Sequence, residues 1–409
     1  MPWSATLATV DRFARSEAAA RSGVTGDYLD NLVELGLVTP DEQDQFTEGG
    51  LRRVMVTKAL DQAGIPLDGL ASLLRDGAYL DFIESAGNDA FAPLSERSFA
   101  EVSANTGVPV ELLSAIREAA GGLPARADER IREDELAVVP LAEMHLREGF
   151  RPIVIERTLR VFGDSLRRMA EAESEWWRSE VQDRMLAEGK TYSDINDFAR
   201  DVAPALSRVS DQAVLALYHA QQRQTWSVNI IAGFANALMQ AGLHTRQEHP
   251  PAMCFLDITG YTRLTQEQGD SAAAALAERV GRLVQRAAVA RGGRAVKWLG
   301  DGVMLFFPEP GGGVLAALDI VEQVAEAGLP PAHVGLHAGP VLFQEGDYYG
   351  QTVNIAARIG EYARPAEVLV SQAVVDVVDD EAVQFRQIGA IELKGVGDVI
   401  SLHQAFRTT

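Results

Sequence analysis

The chain has 409 residues, of which 47% are hydrophobic and 23% charged, and its formal net charge is −21. That length exceeds what one hydrophobic core holds and predicts two or three domains of ordinary globular composition. The acidic balance excludes broad electrostatic capture of nucleic acid or anionic lipid, since both need a basic surface.

The single cysteine, Cys254, excludes an intrachain disulfide, and its apolar setting Met253-Cys-Phe-Leu256 predicts a buried thiol. The N-terminus lacks the basic-then-apolar pattern of a secretory signal. The most apolar long stretch, 226–242, carries Asn229, Asn236 and Gln240 and is too short and polar to span a bilayer. A cytoplasmic location without a membrane span is therefore expected.

From the N-terminus to about Leu243 apolar residues recur at three- and four-residue intervals, which predicts an all-helical half. A repeat runs through it. Ser22-Gly-Val-Thr25 lines up with Thr106-Gly-Val-Pro109, Leu51-Arg-Arg-Val54 with Leu136-Ala-Val-Val139, and Ala63-Gly-Ile65 with Glu148-Gly-Phe150. An offset of roughly 85 residues predicts two related units in tandem. We divide this half at residues 1–95 and 96–246, the second part including connecting helices.

The first unit resembles the helix-turn-helix and wing of the MerR regulator family. The resemblance lies in Ala19-Ala-Arg-Ser-Gly-Val-Thr25, Leu32-Val-Glu-Leu-Gly-Leu-Val38, Glu48-Gly-Gly-Leu-Arg-Arg53 and Ala63-Gly-Ile-Pro-Leu67. Places that would meet phosphate hold Asp27, Asp30, Glu34, Asp41, Glu42, Asp44 and Glu48, leaving Arg52 and Arg53 as the main basic pair. DNA is therefore not expected as a partner.

Residues 153–189 read as one long amphipathic helix with Leu159, Phe162, Leu166, Met169 and Ala170 on a face. The adjacent Trp176 and Trp177 cannot share a face, so one is expected inside and the other toward a partner or ligand. A further helix-rich stretch, 209–243, leads to the segment 244–251, where Pro250 and Pro251 stop any helix. We place a domain boundary there, with a third domain at 247–409.

Beyond it, β-rich runs at 252–256, 295–299, 303–307, 333–337 and 367–371 alternate with helical segments. The first run delivers Asp257 into Asp257-Ile258-Thr259-Gly260-Tyr261-Thr262. Gly260 permits a close backbone approach, and the amides of Ile258 to Thr262 are placed to cradle a phosphate ahead of the next helix. Gly300-Asp301-Gly302 between two runs signals a hairpin that carries Asp301 at its tip. Brought beside Asp257, it completes a hard-oxygen pair suited to Mg²⁺ or Mn²⁺. Asn354 and Arg358, four apart at a helix start, share one face. His333 and His337 read as structural histidines, and Tyr348 and Tyr349 as loop aromatics, one of them near a ligand.

With Lys297 and Asp347 added, these motifs, from about Ala252 to Phe406 and ending in Ile391-Glu-Leu-Lys-Gly-Val396, resemble a class III nucleotidyl cyclase catalytic domain. The resemblance implies an α+β fold, with a ferredoxin-like βαββαβ core following the all-α regulatory region, that works as a head-to-tail homodimer with shared sites. It implies that Asp257 and Asp301 hold two divalent metals (Mg²⁺ or Mn²⁺), that Lys297 and Asp347 read the purine of ATP, and that Asn354 orients the ribose. Arg358 would neutralise charge on the α-phosphate. In guanylyl cyclases of the family the purine-reading places are typically Glu and Cys, so this pair favours ATP. The expected function is an adenylate cyclase forming 3′,5′-cyclic AMP and pyrophosphate under control of the helical half. A guanylate cyclase and a catalytically silent cyclase-like sensor are the alternatives. For the regulatory signal the sequence leaves open a small apolar molecule, pH or a partner protein.

Overall fold

The computed structural model describes residues 12–75, 92–243, 249–397 and 399–408. The chain separates into two compact units, residues 1–232 and 233–409. The boundary expected at 246/247 falls with residues 244–248 outside the described residues.

The helical unit opens with β1 (Arg12–Ala14), α1 (Arg15–Ser22), α2 (Gly26–Glu34), β2 (Gln45–Thr47), α3 (Glu48–Gln62) and α4 (Leu67–Arg75). Thr25 and Thr47 cap α2 and α3, each accepting from an amide in the helix's first turn. The same order then returns as β3 (Leu94–Ser98), α5 (Phe99–Thr106), α6 (Val110–Ala119), β4 (Arg130–Arg132), α7 (Glu133–Arg147) and α8 (Pro152–Trp177). In each unit the first short strand pairs antiparallel with the second. Buried positions repeat as well. Leu29, Leu32, Phe46, Val54 and Leu70 of the first core correspond to Leu113, Ile116, Ile131, Val139 and Ile155 of the second. Tandem duplication is thus visible in the packing of each core as well as in the chain order.

Helix α4 is described as far as Arg75, and α8 runs 26 residues and buries only Ile155 and Leu159. Phe162, Leu166 and Met169 are exposed, so the apolar face is covered only near its start. The single helix expected over 153–189 is interrupted after Trp177 by a π segment at Arg178–Asp183, before α9 (Arg184–Ala187). Trp176 is exposed, and Trp177 lies 6.2 Å from the Phe198 ring. Phe198 belongs to α10, a 49-residue helix over Tyr192–Gln240. Among the described residues no helix is long and apolar enough to cross a membrane.

The second unit contains β5 (Ala252–Ile258), α11 (Tyr261–Gln268), α12 (Asp270–Ala290), β6 (Arg294–Leu299), β7 (Gly302–Phe307), α13 (Pro310–Glu326) and β8 (Ala332–Ala338). There follow β9 (Leu342–Gln344), β10 (Asp347–Tyr349), α14 (Gln351–Tyr362), β11 (Val368–Ser371), α15 (Gln372–Val375), β12 (Val383–Glu392) and β13 (Val399–Arg407). Seven strands make one sheet in the order β12-β13-β11-β8-β5-β7-β6. Its β8-β5-β7-β6 part is antiparallel throughout, which is the ferredoxin-like βαββαβ core that the cyclase resemblance implies. Strand β5 lies at its centre and is apolar on both faces. Cys254 and Leu256 pack toward Val280, Val284 and Ile320 of α12 and α13, while Met253 packs with Met304, Tyr348 and Ala356 on the other side.

Helix α14 lies on that second face at very short range. A Cβ on Gly335 would stand 2.0 Å from the Gly360 amide nitrogen, so only a glycine admits the helix there. This contact fixes the height of α14, and with it Asn354 and Arg358, above the sheet.

Candidate active site

Three small groupings of polar residues emerge from this frame. The first comes from neighbouring strands. Asp257 is near the end of β5, and Asp301 occupies the two-residue turn between β6 and β7. Residues Leu256 and Val303 pair directly across β5 and β7, which sets the turn beside the β5 end. Both carboxylates line a cleft of about 330 Å³, together with Gly302, His333 and Glu361. Burial above all, and then the charge of Asp301, hold the Asp257 carboxyl above its usual range, with His333 acting in the opposite direction. Two carboxylates facing one cleft form a donor set that fits a hard divalent cation. Among the described residues no cluster of three or more metal-ligating side chains exists, so any further oxygens would come from backbone, water or ligand.

His333 is the residue that sequence reasoning missed. The sequence alone marks it as a structural histidine, yet the β5–β8 register places it directly across from Asp257. Its Nε2 lies 3.7 Å from Asp257 Oδ2, and its Nδ1 is 3.2 Å from Thr259 Oγ1. The two strands are 76 positions apart in the chain, and only their pairing reveals the neighbourhood. His337 does take a structural place, with Nδ1 2.7 Å from Ser371 Oγ.

The backbone after Asp257 turns as expected. Gly260 has φ of 80°, in the left-handed region, and α11 starts at Tyr261. Thr259 and Tyr261 are half-buried and Gly260 is exposed, while the side chain of Thr262 lies outside the described residues.

The second grouping is Lys297 with Asp347. Lys297 Nζ donates to Asp347 Oδ2, joining β6 to β10 across 50 residues of sequence. The sequence pointed to a loop at Asp347. The structure instead has a ribbon, β9 paired with β10, with Asp347 opposite Gln344. The third grouping is on α14, where Asn354 is exposed and the Arg358 guanidinium donates at 2.6 Å to both Glu361 oxygens. Among the described residues the lining of the Asp257–Asp301 cleft takes in Ala357 and Glu361 from α14 but none of Lys297, Asp347, Asn354 and Arg358. One chain therefore brings the six residues together only as separate sets.

A catalytic-domain model for adenylate and guanylate cyclases matches residues 244–404. A pH-sensitive adenylate cyclase of Mycobacterium tuberculosis is 28% identical over 321 residues, covering 73% of this chain and 75% of that protein. An adenylate cyclase of Streptomyces coelicolor is 33% identical over 164 residues, 40% of this chain and 42% of that one. Among solved structures, an adenylyl cyclase from P. aeruginosa aligns at 22% identity and a TM-score of 0.35, covering 39% of this chain and 95% of that one. Residues 244–404 thus match the catalytic domain of the adenylate and guanylate cyclases.

Proposed function

We propose that the protein converts ATP to 3′,5′-cyclic AMP and pyrophosphate at sites shared by two copies of the chain, under the control of its helical half. The observation that carries the reading is the Lys297–Asp347 pair, held outside the cleft of Asp257 and Asp301. A carboxylate accepts from the exocyclic amine of adenine and an ammonium donates to a ring nitrogen, whereas the 6-oxo group of guanine calls for donors. The separation of this pair from the acidic cleft supports a site completed by a partner, with Asp257 and Asp301 from one chain and the other four residues from its neighbour.

In that arrangement Asp257 and Asp301 would hold two divalent cations, Mg²⁺ or Mn²⁺, and the amides of Ile258 to Thr262 would cradle phosphate at the start of α11. When bound, the cations supply a lowered pKa for the ribose 3′-hydroxyl and charge neutralisation for the triphosphate. Asn354 orients the ribose. Arg358 exchanges its contact with Glu361 for the α-phosphoryl oxygens as charge builds on them. The pairing of Arg15 with Asp30 and Asp44, and of Arg12 with Asp41, leaves the first helical unit poorly suited to DNA. The alignment to the pH-sensitive relative is 321 residues long, twice what residues 244–404 can supply, so it includes helical residues. That supports the helical half as a control region.

The test is cyclic AMP formation by the purified chain with ATP and Mn²⁺. Asp257→Ala and Arg358→Ala should each lose at least about 100-fold. Their mixture should recover part of the activity, because one of the two sites in a heterodimer is intact. If each variant stays active, or a co-purifying mixture stays dead, the shared-site reading is wrong.

A further inference from the structure

The ribbon that carries Asp347 has only three residues in each strand and, among the described residues, pairs with no other strand. A two-stranded ribbon of that size has no stability of its own in water. Its position therefore has to come from side chains, and one residue supplies most of the attachment. Tyr348 is 7% exposed and stacks on Phe306 of β7 with ring centroids 4.4 Å apart and planes within 9°. Its cross-ribbon partner Phe343 closes the other side at 5.0 Å. Arg294, the first residue of β6, donates from Nη2 to Tyr348 Oη at 2.7 Å. The same guanidinium lies 5.5–5.6 Å from the ring centres of Phe306, Phe343 and Tyr348.

The ribbon is thus tied to one strand at two points: Arg294 to Tyr348 and, three residues on, Lys297 to Asp347. Asp347 Oδ1 also accepts from the Tyr348 amide at 2.8 Å, so the carboxylate's orientation follows the backbone of the anchored residue. The register irregularity of β6 between Ala295 and Lys297 lies between the two ties. We propose that Tyr348 and Arg294 are positioning residues for base selection, setting where the Asp347 carboxylate meets the purine edge. The proposal rests on Lys297 and Asp347 being the purine readers.

Full-length Tyr348→Phe keeps the stack and removes only the hydroxyl; Arg294→Met removes both the hydrogen bond and the cation over the rings. Both would be measured for kcat and KM with ATP and with GTP, beside a thermal unfolding midpoint. Lys297→Ala and Asp347→Ala would be assayed in parallel. The expected result is a rise of about three- to tenfold in the KM for ATP and a similar loss of ATP-over-GTP preference in Tyr348→Phe, larger in Arg294→Met, with kcat for ATP and the midpoint held. Unchanged preference in both anchor variants, while Lys297→Ala and Asp347→Ala abolish it, overturns the anchor and leaves the purine reading standing. Preference unmoved in the Lys297 and Asp347 variants overturns both. A drop in kcat that tracks a lowered midpoint, without a shift in preference, makes the cluster structural and also overturns the proposal.

Discussion

His337 illustrates how one half-buried side chain sets a pH limit for this protein. Burial pushes its imidazole down from 6.5 to about 4, so the folded state favours the neutral ring beside Ser371. The stability this represents is intact above pH 6.5 and is lost as pH falls from there toward 4, because the unfolded chain takes up the proton first. At pH 5 the cost would reach at most about 2 kcal/mol, a fall of several degrees in the unfolding midpoint. Thermal melts of the wild type and His337→Gln between pH 7.5 and 5 check this, and the variant should show the shallower slope. A steeper slope in the variant would remove His337 as the cause. The Asp257–Asp301 pair was legible because strand-end and hairpin-tip carboxylates have local signatures in sequence. His333 was not, since its relation to Asp257 exists only in the β5–β8 register.

Among the elements, α14 depends most on a single atom count. Gly335 and Gly360 let its backbone touch β8 and β5, and a Cβ on Gly360 would stand 3.3 Å from Phe255. Gly335→Ala would force the helix off the sheet. Overpacking of this kind costs about 1–3 kcal/mol, here against backbone that has little freedom to yield. The expected outcome is a lowered unfolding midpoint with cyclase activity falling further than stability, since Asn354 and Arg358 travel with the helix. Full activity in Gly335→Ala would mean that the height of α14 does not matter. The five strand positions proposed from sequence correspond to β5, β6, β7, β8 and β11, because short β-branched and apolar runs between turn residues signal strands locally. The β9–β10 ribbon escaped notice: three-residue strands show too few alternations to stand out, and its stability comes from Tyr348 packing on a strand 42 residues away.

For the whole molecule, the duplicated helical units pose the question of what the first half does. The 85-residue repeat was readable because the same turns and core positions recur, but the π segment that breaks the helix after Trp177 had no sequence marker as plain. If the helical half governs catalysis, residues 248–409 alone should form cyclic AMP at a rate at least about fivefold different from the full chain, in either direction. Coupling between domains usually has that size or more. Equal rates under all conditions tried, including pH 5.5 to 8, would show a catalytic unit independent of what precedes it.

Strand β6 and its turn carry Lys297 and Asp301 four positions apart, roughly 13 Å of extended chain. If each site is built from two copies, these two residues of one chain work in different sites, Lys297 at the base of one nucleotide and Asp301 at the cations of the other. A tug on either nucleotide would then be felt at the other through a few peptide bonds. The dimer would behave as one machine with two mouths, its pair of reactions sharing a common beam.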